Sequence, residues 1–225
     1  AGDRVRAGDR GRVGGRERAV KRDAFDRYYT PAALARELVG VLSVPGRVDT
    51  IIEPSVGSGA FAAACRARWP DALILGVDVD PAVSLARLDG VVDDLILGDW
   101  PLTALSLLGE GAAPIAIDLV VSNPPYRHAE RHVGVALAAG RNVAMLLRLG
   151  FLAGQKRGVF WREHPPSEVF VLSKRPSFTA DGRTDGSEYG WFVWYDPAPY
   201  TRQVYADLNP PALRWHPEEA CSRKT

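Results

Sequence analysis

From residue 30 onward the apolar positions follow two alternating rhythms. "TPAALARELVGVL" sets Leu34, Leu38, Val41 and Leu42 on one helical face, and Thr30 and Pro31 read as the N-cap and the first helical residue. "VDTIIEPS" is a short apolar run stopped by Pro54, and "GAFAAACRARW" follows as a helix. "ALILGVDVD" then predicts a second strand, Pro81 opens a helix over "PAVSLARL", and "DDLILGDW" is a third strand. "IAIDLVVSN" is apolar on both faces, as expected of a central parallel strand. Residues 129–139 read as a helix and "RNVAMLLRL" as a fifth strand, with a helix as the alternative. "FLAGQKRGVFW" predicts a helical turn or two.

The pattern then changes. "SEVFVLSKR" and "EYGWFVWY" both read as strands, joined by the glycine- and aspartate-rich "PSFTADGRTDG", and two strands with no helix between them form an antiparallel pair. The whole predicts an α/β doubly wound fold, mostly parallel and closing in a hairpin. The folded domain is expected over residues 26–196. Several prolines mark 197–225 as a loose C-terminal tail.

Composition adds the termini. The 225 residues carry a net charge of +1, which says nothing about partners. Its distribution says more: residues 1–27 hold nine basic groups against five acids. "AGDRVRAGDRGRVGGRERAVKRD" has too few apolar residues to offset its ordering entropy, so residues 1–25 read as a disordered basic arm. Such an arm is either a nucleic-acid tether or a solvated leader. Two distant cysteines, Cys65 and Cys221, predict neither a disulfide framework nor a metal site, and a cytoplasmic setting is the default. No signal peptide or membrane span is expected.

Four stretches carry candidate chemistry. In "EPSVGSGAF" a strand ends at Glu53 and Pro54, and Gly57 and Gly59 precede a helix, so the backbone can turn sharply and approach a ligand. Glycine spacing alone also fits a dinucleotide loop. However, the Glu53 carboxylate suits a cationic group and would repel a pyrophosphate. In "GVDVDP" an acid at the end of the second strand stands where open α/β folds hold ribose hydroxyls; alternation favours Asp78, with Asp80 as a helix cap. In "GDW", Asp99 could accept from an exocyclic amine while Trp100 packs on a purine, or the pair could be a turn acid beside a core ring.

The fourth stretch is "VVSNPPY". Strand four is expected beside strand one, which brings Asn123 to the carboxyl edge next to the glycine loop. Pro124 and Pro125 stiffen the segment and contribute carbonyls but no N–H. The Asn123 side-chain oxygen and the Pro124 carbonyl would make two acceptors for a planar amino group, and Tyr126 could stack on the ring that bears it.

Together these four stretches resemble the motifs of S-adenosylmethionine-dependent N6-adenine DNA methyltransferases. Upstream, "RYYTP" is similar to the motif that in those enzymes closes over the methionine end of the cofactor. The motif order is that of the gamma type, and "LSKRPSFTADGRTDGSEYGWFVWY" resembles small phage- and prophage-encoded members. The resemblance covers about residues 26–196. It implies a Rossmann-like class I methyltransferase fold with a seven-stranded sheet and S-adenosyl-L-methionine as cofactor. By matching motif, it implies that Tyr29, Thr30 and Pro31 touch the methionine end and that Glu53, Pro54, Gly57 and Gly59 line the binding loop. It further implies that Asp78 holds the ribose and that Asp99 with Trp100 takes the adenine. Asn123, Pro124, Pro125 and Tyr126 would form the catalytic segment, and Phe178, with Trp191 as second choice, would face Tyr126 across the target base. No metal is implied.

The implied mechanism is direct in-line attack by the target amine, without a covalent intermediate, on a base taken out of the stack. Many DNA-modifying relatives carry a target-recognition domain of a hundred residues or more, whereas here the segment after Tyr126 is short. Specificity is therefore expected from the arm, the 176–187 loop with Arg183 or a partner (a separate specificity subunit or a homodimer), or it is lax. DNA is the first expected partner. RNA amino-methylation and protein glutamine methylation use the same planar amine and stand as alternatives, with a catalytically silent nucleic-acid-binding subunit behind them.

Overall fold

The computed structural model describes residues 29–108, 115–153, 157–178 and 186–196, and the backbone of 213–216. The arm over 1–25, most of the tail and the 179–185 part of the loop with Arg183 lie outside the described residues. Eight strands form one sheet in the order β3-β2-β1-β4-β5-β7-β6-β8. They are β1 (Thr50–Pro54), β2 (Leu73–Asp78), β3 (Asp94–Leu97), β4 (Ile117–Ser122), β5 (Gly140–Arg148), β6 (Glu168–Leu172), β7 (Tyr189–Trp194) and β8 (Leu213–His216). The first five are mutually parallel, and β7 is antiparallel to both β5 and β6. This is the predicted seven-stranded, mostly parallel sheet with its closing hairpin. β8 pairs in parallel with β6 and adds a strand within the stretch expected to be loose.

Burial explains why the central strands read as continuous apolar runs. Neighbours along a strand face opposite layers. Ile51 enters one core, with α1 (Ala32–Gly40) and α2 (Ala60–Arg68), while Ile52 enters the other, with α3 (Trp100–Leu108), α4 (Ala129–Ala139) and α5 (Arg157–Glu163). Both faces are covered, so neither phase of the alternation can be polar. Among the described residues no helix is long and apolar enough to cross a membrane.

Four local expectations are corrected. The helix expected from Pro81 is only a single 3-10 turn, Leu85–Arg87. Asp80 Oδ1 accepts from the Ala82 N–H at 2.9 Å, and Ser84 is extended, at φ −140° and ψ 148°. The chain therefore turns early and delivers Leu88 to the core. At α1, Pro31 rather than Thr30 is the capping residue, and no side chain bonds the helix end. Strand β3 stops at Leu97, so Trp100 opens α3, a helix that the periodicity did not announce. Trp191 is fully buried and stacks on Phe61, with ring centroids 5.0 Å apart, so it cannot face a target base.

Candidate active site

The strand order reverses between β1 and β4, which is where open α/β sheets bind ligands at their carboxyl ends. The Ser122 hydroxyl donates to the Pro54 carbonyl and ties the two strand ends together. The loop after β1 turns through three positive φ angles: Ser55 at 58°, Gly57 at 50° and Gly59 at 74°. Gly59 caps α2, and a Cβ there would stand 2.7 Å from Leu88 Cδ2. At Gly57 a Cβ would meet the Tyr29 ring at 3.4 Å. These two glycines are dictated by the turn and by close approach.

A cleft opens over this loop, lined by Tyr29, Thr30, Glu53, Ser55, Gly57 and Asn123 among others. Residues from three distant stretches thus share one wall. Thr30, released from capping, accepts a hydrogen bond from Asn123 Nδ2 at 3.1 Å across 93 positions. Glu53 is buried beneath the loop, and its Oε2 accepts from the Ala62 N–H at 2.6 Å. Burial pushes its carboxyl well above the usual carboxylate range; the Ala62 and Phe61 N–H groups pull it down, and the Asp78 charge adds to the rise. Burial thus favours the neutral carboxyl, and a cation placed beside it would favour the charged form.

Asp78 does two structural jobs. Oδ2 accepts from the Gly57 N–H and Oδ1 from the Asp80 N–H, each at 2.8 Å, so the end of β2 braces the glycine loop. The Gly98 N–H donates to the Asp78 carbonyl at 2.8 Å, which sets Asp99 on the neighbouring strand end. There Arg131 lies 3.5 Å from Asp99 in an exposed pair. Trp100 differs from the expectation that its ring packs on a purine. It is 2% exposed, its Nε1 donates to the His132 carbonyl at 3.4 Å, and it belongs to the core under α3 and α4.

After Asn123, Pro124 and Pro125 delay α4 by one 3-10 turn, Tyr126–His128. Tyr126 sits in an aromatic cluster, its centroid 5.5 Å from Tyr189 and 6.4 Å from Phe178. Phe178 therefore does neighbour Tyr126, as expected, but at an interplanar angle of 61°. Two edge-on rings this close leave no slot for a third between them. The Arg148 guanidinium lies over the Tyr126 ring, 4.7 Å from its centroid. Burial pushes the Tyr126 hydroxyl well above its usual pKa, with Tyr189 adding to the rise and Arg148 and a side-chain hydrogen bond with Asn123 opposing it. Arg148 escaped the sequence reading because nothing local marks an arginine at a strand end. Among the described residues no group of His, Cys, Asp or Glu is arranged to hold a metal ion.

No protein-family model matches the chain. Part of it is 37% identical over 57 residues to the Type II methyltransferase M.XamI of Xanthomonas campestris pv. amaranthicola, covering 25% of this chain and 11% of that protein. Another match, 30% identical over 76 residues, is to the Type II methyltransferase M.CvrRI of Paramecium bursaria Chlorella virus XZ-6E, covering 34% of this chain and 18% of that one. The matched stretches thus span less than a fifth of either relative. Among solved structures, the type I restriction-modification system methyltransferase subunit from Streptococcus thermophilus superposes with a TM-score of 0.57 at 15% identity, over 76% of this chain and 45% of its own. The 23S rRNA methyltransferase ErmE superposes at 0.54 and 14% identity, over 76% and 70%. The O-methyltransferase TomG from Streptomyces achromogenes, solved in complex with S-adenosylmethionine, superposes at 0.50 and 11% identity, over 73% and 78%. The fold is therefore the Rossmann-like class I fold of S-adenosylmethionine-dependent methyltransferases. In sequence, the chain is similar over short stretches to Type II methyltransferases.

Proposed function

We propose that this chain binds S-adenosyl-L-methionine in the cleft between Tyr29 and Asn123 and transfers its methyl group to the N6 amine of adenine in DNA. The observation that carries this reading is the Thr30–Asn123 hydrogen bond, which fastens the amine-accepting residue to the wall of the glycine-loop cleft. The Type II relatives and the type I subunit support DNA as the substrate, and the type I likeness supports a separate specificity subunit, with a homodimer as the alternative. Asn-Pro-Pro-Tyr supports an exocyclic amine as the acceptor.

The residues present fit the cofactor. The cleft is kept open by the missing side chain at Gly57, and Glu53 suits an ammonium group. Asp78 and Asp99 stand on adjacent strand ends for hydroxyls and an amine. Bound there, S-adenosylmethionine supplies an electrophilic methyl group. The chain's own part is to hold the acceptor. With Nδ2 committed to Thr30, the Asn123 amide presents its oxygen to the target amine, and the Pro124 carbonyl is the second acceptor. Two acceptors draw a nearly planar amine toward tetrahedral geometry and free its lone pair for in-line attack. Neither is a strong base, so the displaced proton passes to water.

The deciding experiment offers duplex DNA, single-stranded DNA, total RNA and a protein lysate together with tritiated S-adenosylmethionine. Label recovered as N6-methyladenine in DNA supports the reading; label in RNA or on glutamine moves the substrate and keeps the chemistry. Two further outcomes are expected. Thr30→Val keeps shape but removes the acceptor for Asn123 Nδ2, and should lower turnover about tenfold, the worth of one hydrogen bond. Cofactor affinity should stay within a few fold and Thr30→Ser should restore turnover; equal turnover in the valine variant would remove Thr30 from the mechanism.

Glu53 gives a pH signature. Its pKa is raised on folding, so the unfolded chain binds fewer protons, and this group's contribution to stability is full at low pH and is lost as pH rises through the raised value. Glu53→Gln should flatten that part of the stability profile. A cationic cofactor end beside Glu53 should expel its proton, so binding enthalpies should vary with buffer ionisation heat by about one proton per site. A buffer-independent enthalpy would show that Glu53 does not meet the ammonium group.

A further inference from the structure

We propose that the cleft between the start of α1 and the segment after β6 is a second nucleotide subsite, which holds the residue next to the target in the same strand. This rests on the reading of the chain as a nucleic-acid methyltransferase, and adds to it a site that recognises the flanking sequence.

Position is the first argument. β6 and β5 are both antiparallel to β7, so the Leu172 end of β6 opens at the same sheet edge as Asn123. The cleft is walled by Pro31 and Leu34 on one side and by Leu172, Ser173, Lys174 and Pro176 on the other. Each wall leads directly to the candidate active site. Pro31 follows Thr30, which bonds Asn123, and Pro176 lies two residues before Phe178, which packs on Tyr126.

Chemistry is the second. Leu34, Leu172 and Pro176 are buried and form an apolar floor, while Lys174 stands exposed at the rim. The neighbouring cation Arg175 is engaged by Glu188, its Nε donating at 2.9 Å. Lys174 has no ion pair among the described residues. An apolar floor with one uncommitted cation at its mouth fits a flat, weakly polar body joined to an anion. A nucleotide is such a body: the base would lie on the floor and its phosphate would meet Lys174. Pro31 on the wall adjoins Thr30, whose hydroxyl bonds Asn123, which suits a neighbour one step from the extruded base. An acidic partner protein would offer charge but no flat ring at that spacing, and is the competing occupant.

The test uses a fluorescein-labelled thymidine oligonucleotide carrying a single adenine, with an abasic site placed on either side in turn. Lys174→Ala, an exposed change, should weaken binding and reduce the slope of log affinity against log salt by about one. An abasic neighbour on one side should weaken wild-type binding about tenfold, the value of burying part of one base on apolar walls. Ser173→Trp, which fills the cleft, should bind intact oligonucleotide as weakly as wild type binds the abasic one, and should lose nothing further on the abasic probe. S-adenosylmethionine affinity should be unchanged in both variants, which also reports that they are folded. An unchanged salt slope in Lys174→Ala, or additive losses in the Ser173→Trp cycle, overturns the subsite even if methyl transfer to DNA stands. Absence of transfer to any nucleic acid by the wild-type chain would instead overturn the functional reading beneath it.

Discussion

Replacing Asn123 with alanine is expected to reduce methyl transfer by about 10²- to 10³-fold or more while leaving S-adenosylmethionine affinity within a few fold. The first figure is the usual cost of removing one preorganised polar group that acts on charge developing in the transition state. The second follows from the division of labour in the cleft. The floor is built by the glycine loop, Glu53 and Asp78, whose mutual hydrogen bonds do not involve Asn123. Alanine removes the acceptor and also releases the Thr30 hydroxyl from its bond to Nδ2. Asn123→Asp keeps an acceptor oxygen at that position and should retain more activity than alanine. Single-turnover rates and isothermal titration of the cofactor separate the two quantities. Near-normal transfer by the alanine variant would sink the mechanism, because the Asn123 amide oxygen is the side-chain acceptor it assigns to the target amine.

The second large effect is on folding. Gly59→Ala is expected to lower stability by about 2–5 kcal/mol. Roughly 1–2 kcal/mol comes from forcing a side chain into the left-handed region, and about 1–3 from overpacking. Gly59 has φ 74° and its new Cβ would lie 2.7 Å from Leu88 Cδ2 and 3.4 Å from Val91 Cγ1. Leu88 is 1% exposed and has little room to retreat. In a domain of this size such a loss lowers the melting temperature by about 5–15 °C. Gly57→Ala makes the informative contrast. Its φ is 50°, but the tightest contact of the Cβ would be with the exposed Tyr29 ring at 3.4 Å. It should cost less stability than Gly59→Ala and more cofactor affinity, because it narrows the cleft instead of the core. Thermal melts with and without S-adenosylmethionine distinguish the two. Equal melting temperatures for Gly59→Ala and wild type would mean that the loop does not turn as described.

The aromatic cluster bears on how a target base would be received. Tyr126 is covered by Arg148 and flanked by Phe178 edge-on and by a tilted Tyr189. A base stacking on Tyr126 would have to displace the guanidinium or turn the ring, so the pocket must rearrange on binding. A cation over an aromatic face is worth about 0.5–2 kcal/mol, which is within what base stacking returns.

Much of this was legible in the chain itself, and for local reasons. Strand β4 announced itself because both its faces are covered, so "IAIDLVVSN" had no polar phase. The turn at Gly57 and Gly59 was readable because only glycine is indifferent to the sign of φ. Asn-Pro-Pro-Tyr stood out because two prolines after a buried strand end the ladder abruptly and leave carbonyls without N–H partners.

Other features had no local mark. The "PAVSLARL" segment has a helical pattern, yet an Asp80 side-chain bond and the need to bring Leu88 over Gly59 confine it to one 3-10 turn. Trp100 looked like a ligand face beside Asp99, and whether its ring points to the cleft or to the core depends on α3, which the periodicity did not reveal. Thr30 had the residue type of a cap, but its partner is Asn123, 93 positions away. Sequence alone determined the seven predicted strands, the tight turn and the abrupt end of β4 at Asn-Pro-Pro-Tyr, because periodicity, φ preference and proline's missing donor act within a few residues. Only the tertiary structure decided that Thr30 bonds Asn123, that Glu53 is buried beneath the loop, and that Arg148 covers Tyr126. Each of these depends on which side chains meet across the sheet edge, and no spacing along the chain encodes that.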